Sequence, residues 1–184
     1  MARPPRQFAP GETYHVWSRG SNRQPIFAFE GDRSEFLACL ERVTARRGVR
    51  CLAYCLMSNH YHLVLETVDG QLSRAMQGLN GSYSLRFNHR HGRDAHLFRN
   101  RFGAVRQSTT GQLLWTLRYT VRNPIENGLC GRPEEWRWSS YRASAGIDRA
   151  PRFLDVRRLL TYFGDMPDRA REVYRAFVDD EVGV

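Results

Sequence analysis

Three stretches of the chain carry apolar residues at intervals of three and four, the spacing of one face of a helix. They lie at about residues 34–47, 71–91 and 110–121. Asp32 or Ser34 is expected to cap the first helix, since either side chain can accept a hydrogen bond from a free backbone N–H. The third helix is expected to stop before Pro124, because proline disfavours the helical conformation of the residue ahead of it.

Four shorter stretches are rich in strand-forming residues and are bounded by turn-forming residues. They lie at about residues 12–19, 49–57, 61–67 and 102–107. The order strand, helix, strand, strand, helix, strand predicts an α+β fold with a ferredoxin-like antiparallel sheet, as in RNA-recognition modules. Helices are expected to cover one face of this sheet and to leave the other face open to a ligand.

We expect one domain over residues 1–145, followed by a helical extension over residues 146–184 that packs on the domain or gates its site. The chain contains neither a long apolar run nor the apolar stretch of a secretory signal, so no membrane association is expected. The four cysteines are expected to be buried free thiols in a cytoplasmic protein. The alternative is a zinc site, which would use Cys51, Cys55, His60 and His62.

Charge is distributed unevenly along the chain. All 28 basic residues are arginine, and the net charge is +9. Residues 70–125 contain a single acid, Asp94, and nine arginines, at positions 74, 86, 90, 93, 99, 101, 106, 118 and 122. This block predicts a polyanionic partner, since guanidinium groups bind phosphate oxygens in pairs. Residues 165–184 carry six acids and three arginines and are not expected to bind a nucleic-acid backbone.

His60 and His62 are two residues apart on the third predicted strand, so both imidazoles share one face of the sheet. The intervening Tyr61 is expected to point to the opposite face, beneath the helices. Two imidazoles on one face are a ready pair of metal ligands. A structural role, in which either ring simply packs or satisfies a local hydrogen bond, is the alternative.

Tyr119 and Asn123 are four residues apart on the third predicted helix and therefore share a face away from its apolar stripe. Together with the two histidines they would provide a hydroxyl nucleophile and an amide-oxygen ligand. A nitrogen and oxygen ligand set suits Mg²⁺ or Mn²⁺, although histidines would also admit zinc. Alternatively, Tyr119 is a surface residue and Asn123 a helix terminator.

Two basic segments are predicted to bind DNA. Arg19 and Arg23 flank a glycine that permits close backbone approach. The segment 88–102 interleaves arginines with Phe98, a combination that suits backbone contact and base stacking in single strands. A solvated basic loop is the alternative in each case. The complete set of predicted DNA-binding residues is Arg19, Arg23, Arg90, Arg93, Arg99, Arg101, Arg106, Arg122 and Phe98.

Five ordered motifs resemble those of the single-tyrosine histidine-hydrophobe-histidine (HUH) transposases, which are IS200-like, and in particular their REP-associated branch. The motifs are Tyr14-His15-Val16 with Arg19-Gly20 and Arg23; Met57-Ser58-Asn59-His60-Tyr61-His62-Leu63; Arg90-His91-Gly92-Arg93 with His96-Leu97-Phe98 and Arg101-Phe102; Tyr119 with Arg122-Asn123-Pro124; and Trp138-Ser139-Ser140-Tyr141.

The resemblance implies an enzyme that binds single-stranded hairpin DNA, cuts beside the hairpin and stays attached to the 5′ phosphate through tyrosine. Tyr119 would be the nucleophile, His60 and His62 metal ligands, and Asn123 the third polar ligand. The branch implies palindromic genomic repeats as the target and a place on the bacterial nucleoid. A monomer is favoured, with a homodimer as the alternative.

Two other functions remain open on the sequence. A domesticated protein would bind repeat DNA without cutting it, because the same basic and aromatic surface serves binding alone. A metal-dependent nuclease would cut but release free ends. Substituting Tyr119 separates the enzyme classes, since only the strand transferase needs its hydroxyl.

Overall fold

The computed structural model describes residues 6–180. The ends of the two predicted domains, residues 1–5 and 181–184, lie outside the described residues. The strands are β1 (Thr13–Arg19), β2 (Val49–Leu56), β3 (His60–Thr67) and β4 (Gly103–Arg106). The helices are α1 (Glu30–Arg46), α2 (Leu72–His91), α3 (Thr110–Glu126), α4 (Tyr141–Ser144), α5 (Val156–Leu160) and α6 (Pro167–Asp179).

The four strands form one sheet in the order β2-β3-β1-β4, and every neighbouring pair is antiparallel. This order confirms the predicted α+β, ferredoxin-like fold. Helices α1 and α2 pack together on one face, where Tyr61 meets Phe36 with ring centroids 4.7 Å apart. The Tyr61 hydroxyl donates to Asn80 on α2 at 2.6 Å. As predicted, Tyr61 therefore lies beneath the helices, on the face opposite its two histidine neighbours.

Helix α1 begins earlier than predicted. Its N-cap is Phe29, so the expectation that Asp32 or Ser34 is the cap is wrong. Asp32 lies in the first turn and is fully buried, and its carboxylate accepts from the N–H groups of Ala28 and Phe29 at 2.9 and 3.1 Å. Asp32 is therefore inside the helix, yet it accepts hydrogen bonds from two backbone N–H groups that precede the helix.

Helix α3 continues past the predicted end, and Pro124 lies inside it. The stop is instead Gly128, which has a φ of +67° just after the C-cap. The N–H of Leu129 binds the carbonyl of Pro124 at 2.9 Å, which satisfies a terminal carbonyl of the helix. Asn123 is thus a helical residue rather than a terminator. Helix α3 packs over β2 and β3, so it covers part of the sheet face that was expected to be open.

The C-terminal segment packs along β2 and against α3. The N–H of Asp155 binds the carbonyl of Cys51 on β2 at 2.8 Å, and Arg158 forms an ion pair with Glu66 on β3. Helix α6 contacts α3 and buries Tyr174. The division at residue 145 and the gating role of the extension stay predictions. No helix within residues 6–180 is long and apolar enough to cross a membrane.

Candidate active site

The two histidines of β3 stand beside two side chains of β1. In the antiparallel register His60 faces Arg19 and His62 faces Trp17. Directly opposed residues project to the same side of a sheet. The imidazoles of His60 and His62 are perpendicular to each other, with centroids 5.0 Å apart. The predicted pair of histidines on one face is present.

Helix α3 brings Tyr119 and Asn123 onto this pair. The Tyr119 ring meets His62 edge to face, with centroids 5.5 Å apart, and is half-buried. Asn123 is buried one turn later, and its side chain lies close enough to His60 to raise the pKa of that imidazole. The structure therefore places all four predicted site residues together, although they come from two elements about 60 residues apart in the chain.

His15 on β1 also belongs to the site, a role that the sequence did not predict. Its Nε2 lies 2.9 Å from Nδ1 of His62, and the two rings stack with centroids 5.1 Å apart. One ring donates to the other, so the contact orients His62. The sequence did contain a signal for this role. His15 alternates with Trp17 and Arg19 and therefore shares their face of β1, the strand that pairs with β3.

His60 is oriented by a second hydrogen bond. Its Nδ1 lies 2.7 Å from the Asn59 side-chain oxygen. The Asn59 amide donates to the carbonyl of Arg23 at 3.1 Å, which sets the orientation of its oxygen. Because that oxygen can only accept, Nδ1 of His60 carries the hydrogen and Nε2 holds a lone pair.

The three histidines are neutral at physiological pH. Burial, reinforced by the neighbouring His15, His60 and Arg19, lowers the pKa of His62 to about 2. Burial lowers the pKa of His15 to about 4. Burial and Arg19 also lower the pKa of His60, while the neighbouring Asn123 side chain raises it. Neutral imidazole is the form that binds metal ions.

Trp115 covers the outer side of the Tyr119 ring. It lies one helical turn before Tyr119, and the two rings are nearly parallel, at 7°, with centroids 5.2 Å apart. The Trp115 side chain is 62% exposed. The exposed face of the Trp115 ring is therefore available to contact a ligand that approaches Tyr119 from outside.

The residues present fit a divalent ion. No group of three or more His, Cys, Asp and Glu side chains in residues 6–180 could hold a metal, so Asn123 would have to be the third ligand. Nδ1 of His60 and Nδ1 of His62 are each occupied inside the chain. This pairing is typical of metal-binding histidines, whose second nitrogen is held by the protein.

The alternative zinc site is not formed among the described residues. Cys39, Cys51 and Cys55 are buried free thiols, as expected, whereas Cys130 is a free thiol that is only half-buried, so the expectation of burial is wrong for that residue. Burial raises the pKa of the Cys51 and Cys55 thiols, which keeps them protonated and unsuited to zinc. The sulfur of Cys55 contacts that of Met57 at 3.7 Å.

Four of the predicted DNA-binding arginines are exposed around one side of the site. Arg19 follows Trp17 on β1, and Arg23 lies in the short helical turn after it. Arg99 donates its backbone N–H to the carbonyl of Arg19 at 3.0 Å, and Arg101 lies two residues further on. The structure thus brings the two predicted basic segments together next to His60.

The other predicted DNA-binding residues have partners inside the chain. Arg90 binds the buried Asp32 on the opposite side of the sheet at 2.8 Å, and Arg93 donates to Gln24. Arg106 forms an ion pair with Glu12, and Arg122 donates to the carbonyl of Val178 at 2.9 Å. Phe98 packs on the core beside Tyr61 and Tyr83. Their DNA contacts stay predictions.

Solved structures resemble this chain in fold, and one family model matches its sequence. No curated protein sequence matches it. It resembles the structure of a REP-associated tyrosine transposase bound to a REP hairpin, with 17% identity, a TM-score of 0.67 and coverage of 84% of this chain and 94% of that one. A candidate transposase from Deinococcus radiodurans R1 aligns with 16% identity, a TM-score of 0.46 and coverage of 68% and 97%. Residues 10–124 match the family described as transposase IS200 like. This match spans more than half of the chain, which therefore belongs to the IS200-like transposase family.

Proposed function

We propose that this protein cuts single-stranded DNA beside a hairpin through attack by Tyr119 and keeps the DNA as a 5′-phosphotyrosine. The observation that carries the proposal is the convergence of Tyr119, Asn123, His60 and His62 on one face of the sheet. The Tyr119 ring is 5.5 Å from that of His62, and the Asn123 side chain lies close enough to His60 to raise its pKa. Such a grouping of nucleophile and metal-ligand types matches what phosphodiester transfer requires.

The covalent step exchanges one phosphate ester for another. The oxygen of Tyr119 forms a bond to phosphorus, and the bond from phosphorus to the 3′ oxygen breaks. The phenol loses its proton, and the leaving 3′ oxygen gains one. Because the ester is conserved in the tyrosine linkage, a later 3′ hydroxyl can reverse the step and rejoin DNA without an energy source.

His60, His62 and Asn123 would hold a divalent ion, Mg²⁺ or Mn²⁺. When bound, the ion neutralises charge on the phosphate oxygens. His15 and Asn59 hold the two imidazoles in position through their Nδ1 atoms. Trp115 packs against the Tyr119 ring and limits its rotation.

We propose palindromic genomic repeats as the DNA, which places the protein in the REP-associated branch of its family. The structural relative with a TM-score of 0.67 is bound to a REP hairpin. The arginine block of the chain suits a nucleic-acid backbone. We also propose that the active form is a monomer of 21.4 kDa, which light scattering after size-exclusion chromatography measures directly.

A covalent-adduct assay tests the proposed function. The protein is incubated with labelled single-stranded hairpin oligonucleotides from the repeats of its own genome, with Mn²⁺, and the mixture is separated on a denaturing gel. We expect a protease-sensitive labelled band at the position of protein plus DNA. The band should disappear in Tyr119→Phe and in the presence of a chelator.

Two outcomes would replace the proposal. Cleaved DNA without an adduct, retained in Tyr119→Phe, would indicate a nuclease. Among residues 6–180, the carboxylate that follows His62 on the same strand face, Glu66, is held by Arg50 and Arg158 at 2.8 and 2.9 Å and is therefore unsuited to act as the base of a nuclease. Tight binding without cutting across a panel of hairpins would indicate a domesticated repeat-binding protein.

A further inference from the structure

Two side chains of β1 stand immediately beside the histidine pair. Trp17 is paired with His62 across the sheet, and Arg19 is paired with His60. Directly opposed residues of an antiparallel pair have Cβ atoms about 4.5–5.5 Å apart and share a face. The Trp17 ring also lies 5.1 Å from that of His15. A strand of DNA bound at the histidines therefore passes next to these two side chains.

The Trp17 ring lies flat on the edge of the sheet because residue 103 is glycine. A Cβ atom added to Gly103 would clash with the Trp17 ring, far inside van der Waals contact. Gly103 begins β4, the edge strand next to β1. The indole thus spreads sideways from the histidines towards the outer edge of the sheet, and it is half-buried there.

Beyond the indole lies a pocket of about 470 Å³ whose walls include Arg6, Arg19, Arg99 and Arg101. No acidic side chain is among the described residues that line it. Two backbone contacts hold the second basic segment here, because Arg99 donates to the Arg19 carbonyl and Phe98 bridges to Gly20. Arg19, Arg99 and Arg101 place three like charges around one pocket, and an anion bound there would reduce their mutual repulsion.

The pocket leads away from the histidines. Arg6, Asn100, Arg101 and Phe102 also line a wider groove of about 700 Å³ between α2 and the segment 94–102. The pocket and this groove therefore adjoin each other along these four residues.

We propose that this pocket is a subsite for single-stranded DNA flanking the cut phosphate, in which Arg19, Arg99 and Arg101 bind a backbone phosphate and Trp17 stacks on the adjoining base. The proposal rests on the proposed function, because it assumes that the phosphate to be cut lies at the histidines. Aromatic platforms beside arginines are the usual means of holding a single strand without base pairing.

Replacing single phosphates of the oligonucleotide by uncharged analogues tests whether Arg19, Arg99 and Arg101 bind a backbone phosphate. Tyr119→Phe, which cannot react, is titrated with a hairpin oligonucleotide in which each phosphate of the single-stranded flanks is replaced in turn by a methylphosphonate. We expect one or two adjacent positions at which the replacement weakens binding. In Tyr119→Phe with Arg99→Gln and Arg101→Gln, the same replacements should weaken binding much less, because only Arg19 of the three arginines remains. Arg46→Gln, an exposed arginine at the end of α1 on the other face, is the matched control.

Salt dependence gives an independent measure of the same interactions. The logarithm of the binding constant for single strands falls with the logarithm of salt concentration, with a slope of about −0.7 per phosphate that the protein neutralises. Replacing Arg99 and Arg101 should make the slope shallower by about 0.7 for each phosphate that is no longer bound. The Arg46→Gln control should leave the slope unchanged.

An oligonucleotide with one abasic position tests whether Trp17 stacks on a base. Trp17→Ala should weaken binding of the unmodified oligonucleotide by about fivefold or more, as expected for the loss of one base–aromatic stack. An oligonucleotide that lacks the base at the sensitive position should bind Trp17→Ala and the parent protein equally. Trp17→Phe should retain most of the affinity, and urea unfolding verifies that Trp17→Ala is folded.

The outcomes separate this subsite from the proposed function. Adduct formation by the wild type together with a flat methylphosphonate scan would overturn the subsite and leave strand transfer intact. A scan that depends on Arg99 and Arg101 without any adduct would retain the subsite and reject the chemistry. Absence of binding to every hairpin and single strand tested would reject both.

Discussion

At the scale of single residues, the site is organised by the hydrogen bonds that Nδ1 of His60 and Nδ1 of His62 make inside the chain. Nδ1 of His60 donates to Asn59, and Nδ1 of His62 pairs with His15, so both rings turn their Nε2 atoms away from these partners. A ring free to rotate would lose conformational entropy on binding a metal ion. Here the two rings are already fixed in the folded protein, so we expect His15 and Asn59 to strengthen metal binding.

We predict that His15→Ala weakens Mn²⁺ binding by about 10- to 100-fold, the usual cost of removing a residue that orients a metal ligand. Isothermal titration calorimetry measures the affinity without relying on DNA cleavage. His89→Ala is the control, because His89 is exposed on α2 and distant from the sheet face that carries the site. Equal affinities in His15→Ala and the wild type would show that His15 does not orient His62.

We predict that Trp115→Ala slows adduct formation by about 3- to 10-fold, since an aromatic pair contributes about 0.5–1.5 kcal/mol and this pair restrains the nucleophile. Trp115→Phe should retain most of the rate. The initial rate of adduct formation at saturating oligonucleotide measures the effect apart from DNA affinity. An unchanged rate in Trp115→Ala would exclude the positioning role.

At the scale of elements, α1 is anchored by a carboxylate in its first turn. Asp32 is fully buried and accepts from Arg90 at 2.8 Å and His91 at 3.1 Å, in addition to two backbone N–H groups. Burial alone would raise the pKa of Asp32, but hydrogen bonds from His91, Phe29 and Arg90 outweigh it, and the net pKa is lowered. The start of α1 and the end of α2 are therefore held together through one side chain.

We predict that Asp32→Ala lowers the free energy of unfolding by about 2–3 kcal/mol at pH 7, because buried donors lose a charged acceptor. In the wild type the folded pKa lies below the ordinary value of 3.8, so the unfolded chain takes up the proton first. The contribution of Asp32 is then complete above about pH 4 and is lost as the pH falls through the folded pKa.

Urea unfolding at pH 7 and pH 3 measures both effects. The difference in stability between the wild type and Asp32→Ala should shrink at the lower pH. Asp165→Asn, an exposed carboxyl ahead of α6, should change neither value by more than about 0.5 kcal/mol. A constant difference between the two pH values would contradict the pKa direction of Asp32.

At the scale of the whole molecule, the helix that carries the nucleophile is held between the sheet and the C-terminal segment. Helix α3 packs on β2 and β3 on one side and contacts α6 on the other. Arg118 and Arg122 both donate to the carbonyl of Val178 near the end of α6, at 3.4 and 2.9 Å. Cations at the C-terminus of a helix also interact favourably with its dipole.

We predict that Arg122→Gln lowers the free energy of unfolding by about 1–2 kcal/mol, because a charge-assisted bond to the end of α6 is removed. The salt dependence of single-strand binding should stay unchanged, since the Arg122 guanidinium contacts α6. Urea unfolding and a salt titration of oligonucleotide binding measure the two quantities. A shallower salt slope in Arg122→Gln would instead support the DNA contact predicted from the sequence.

Periodicity in the sequence determined the elements and the face on which chemistry-bearing side chains lie. The alternation of β3 placed His60 and His62 on one side, and the helical spacing of Tyr119 and Asn123 placed them together. Both inferences need only local geometry, because a strand repeats every two residues and a helix every 3.6. The four predicted strands and three predicted helices are present for the same reason, although α1 starts earlier and α3 ends later than predicted.

Tertiary contacts decided what local geometry could not. Helix α3 continues through Pro124 while it packs on β2, β3 and α6, and His15 joins the site only because β1 pairs with β3. Basic composition alone could not separate Arg99, which lies beside Arg19, from Arg122, which binds α6. A guanidinium binds whichever acceptor the folded chain brings near it, so its partner depends on residues distant in the sequence.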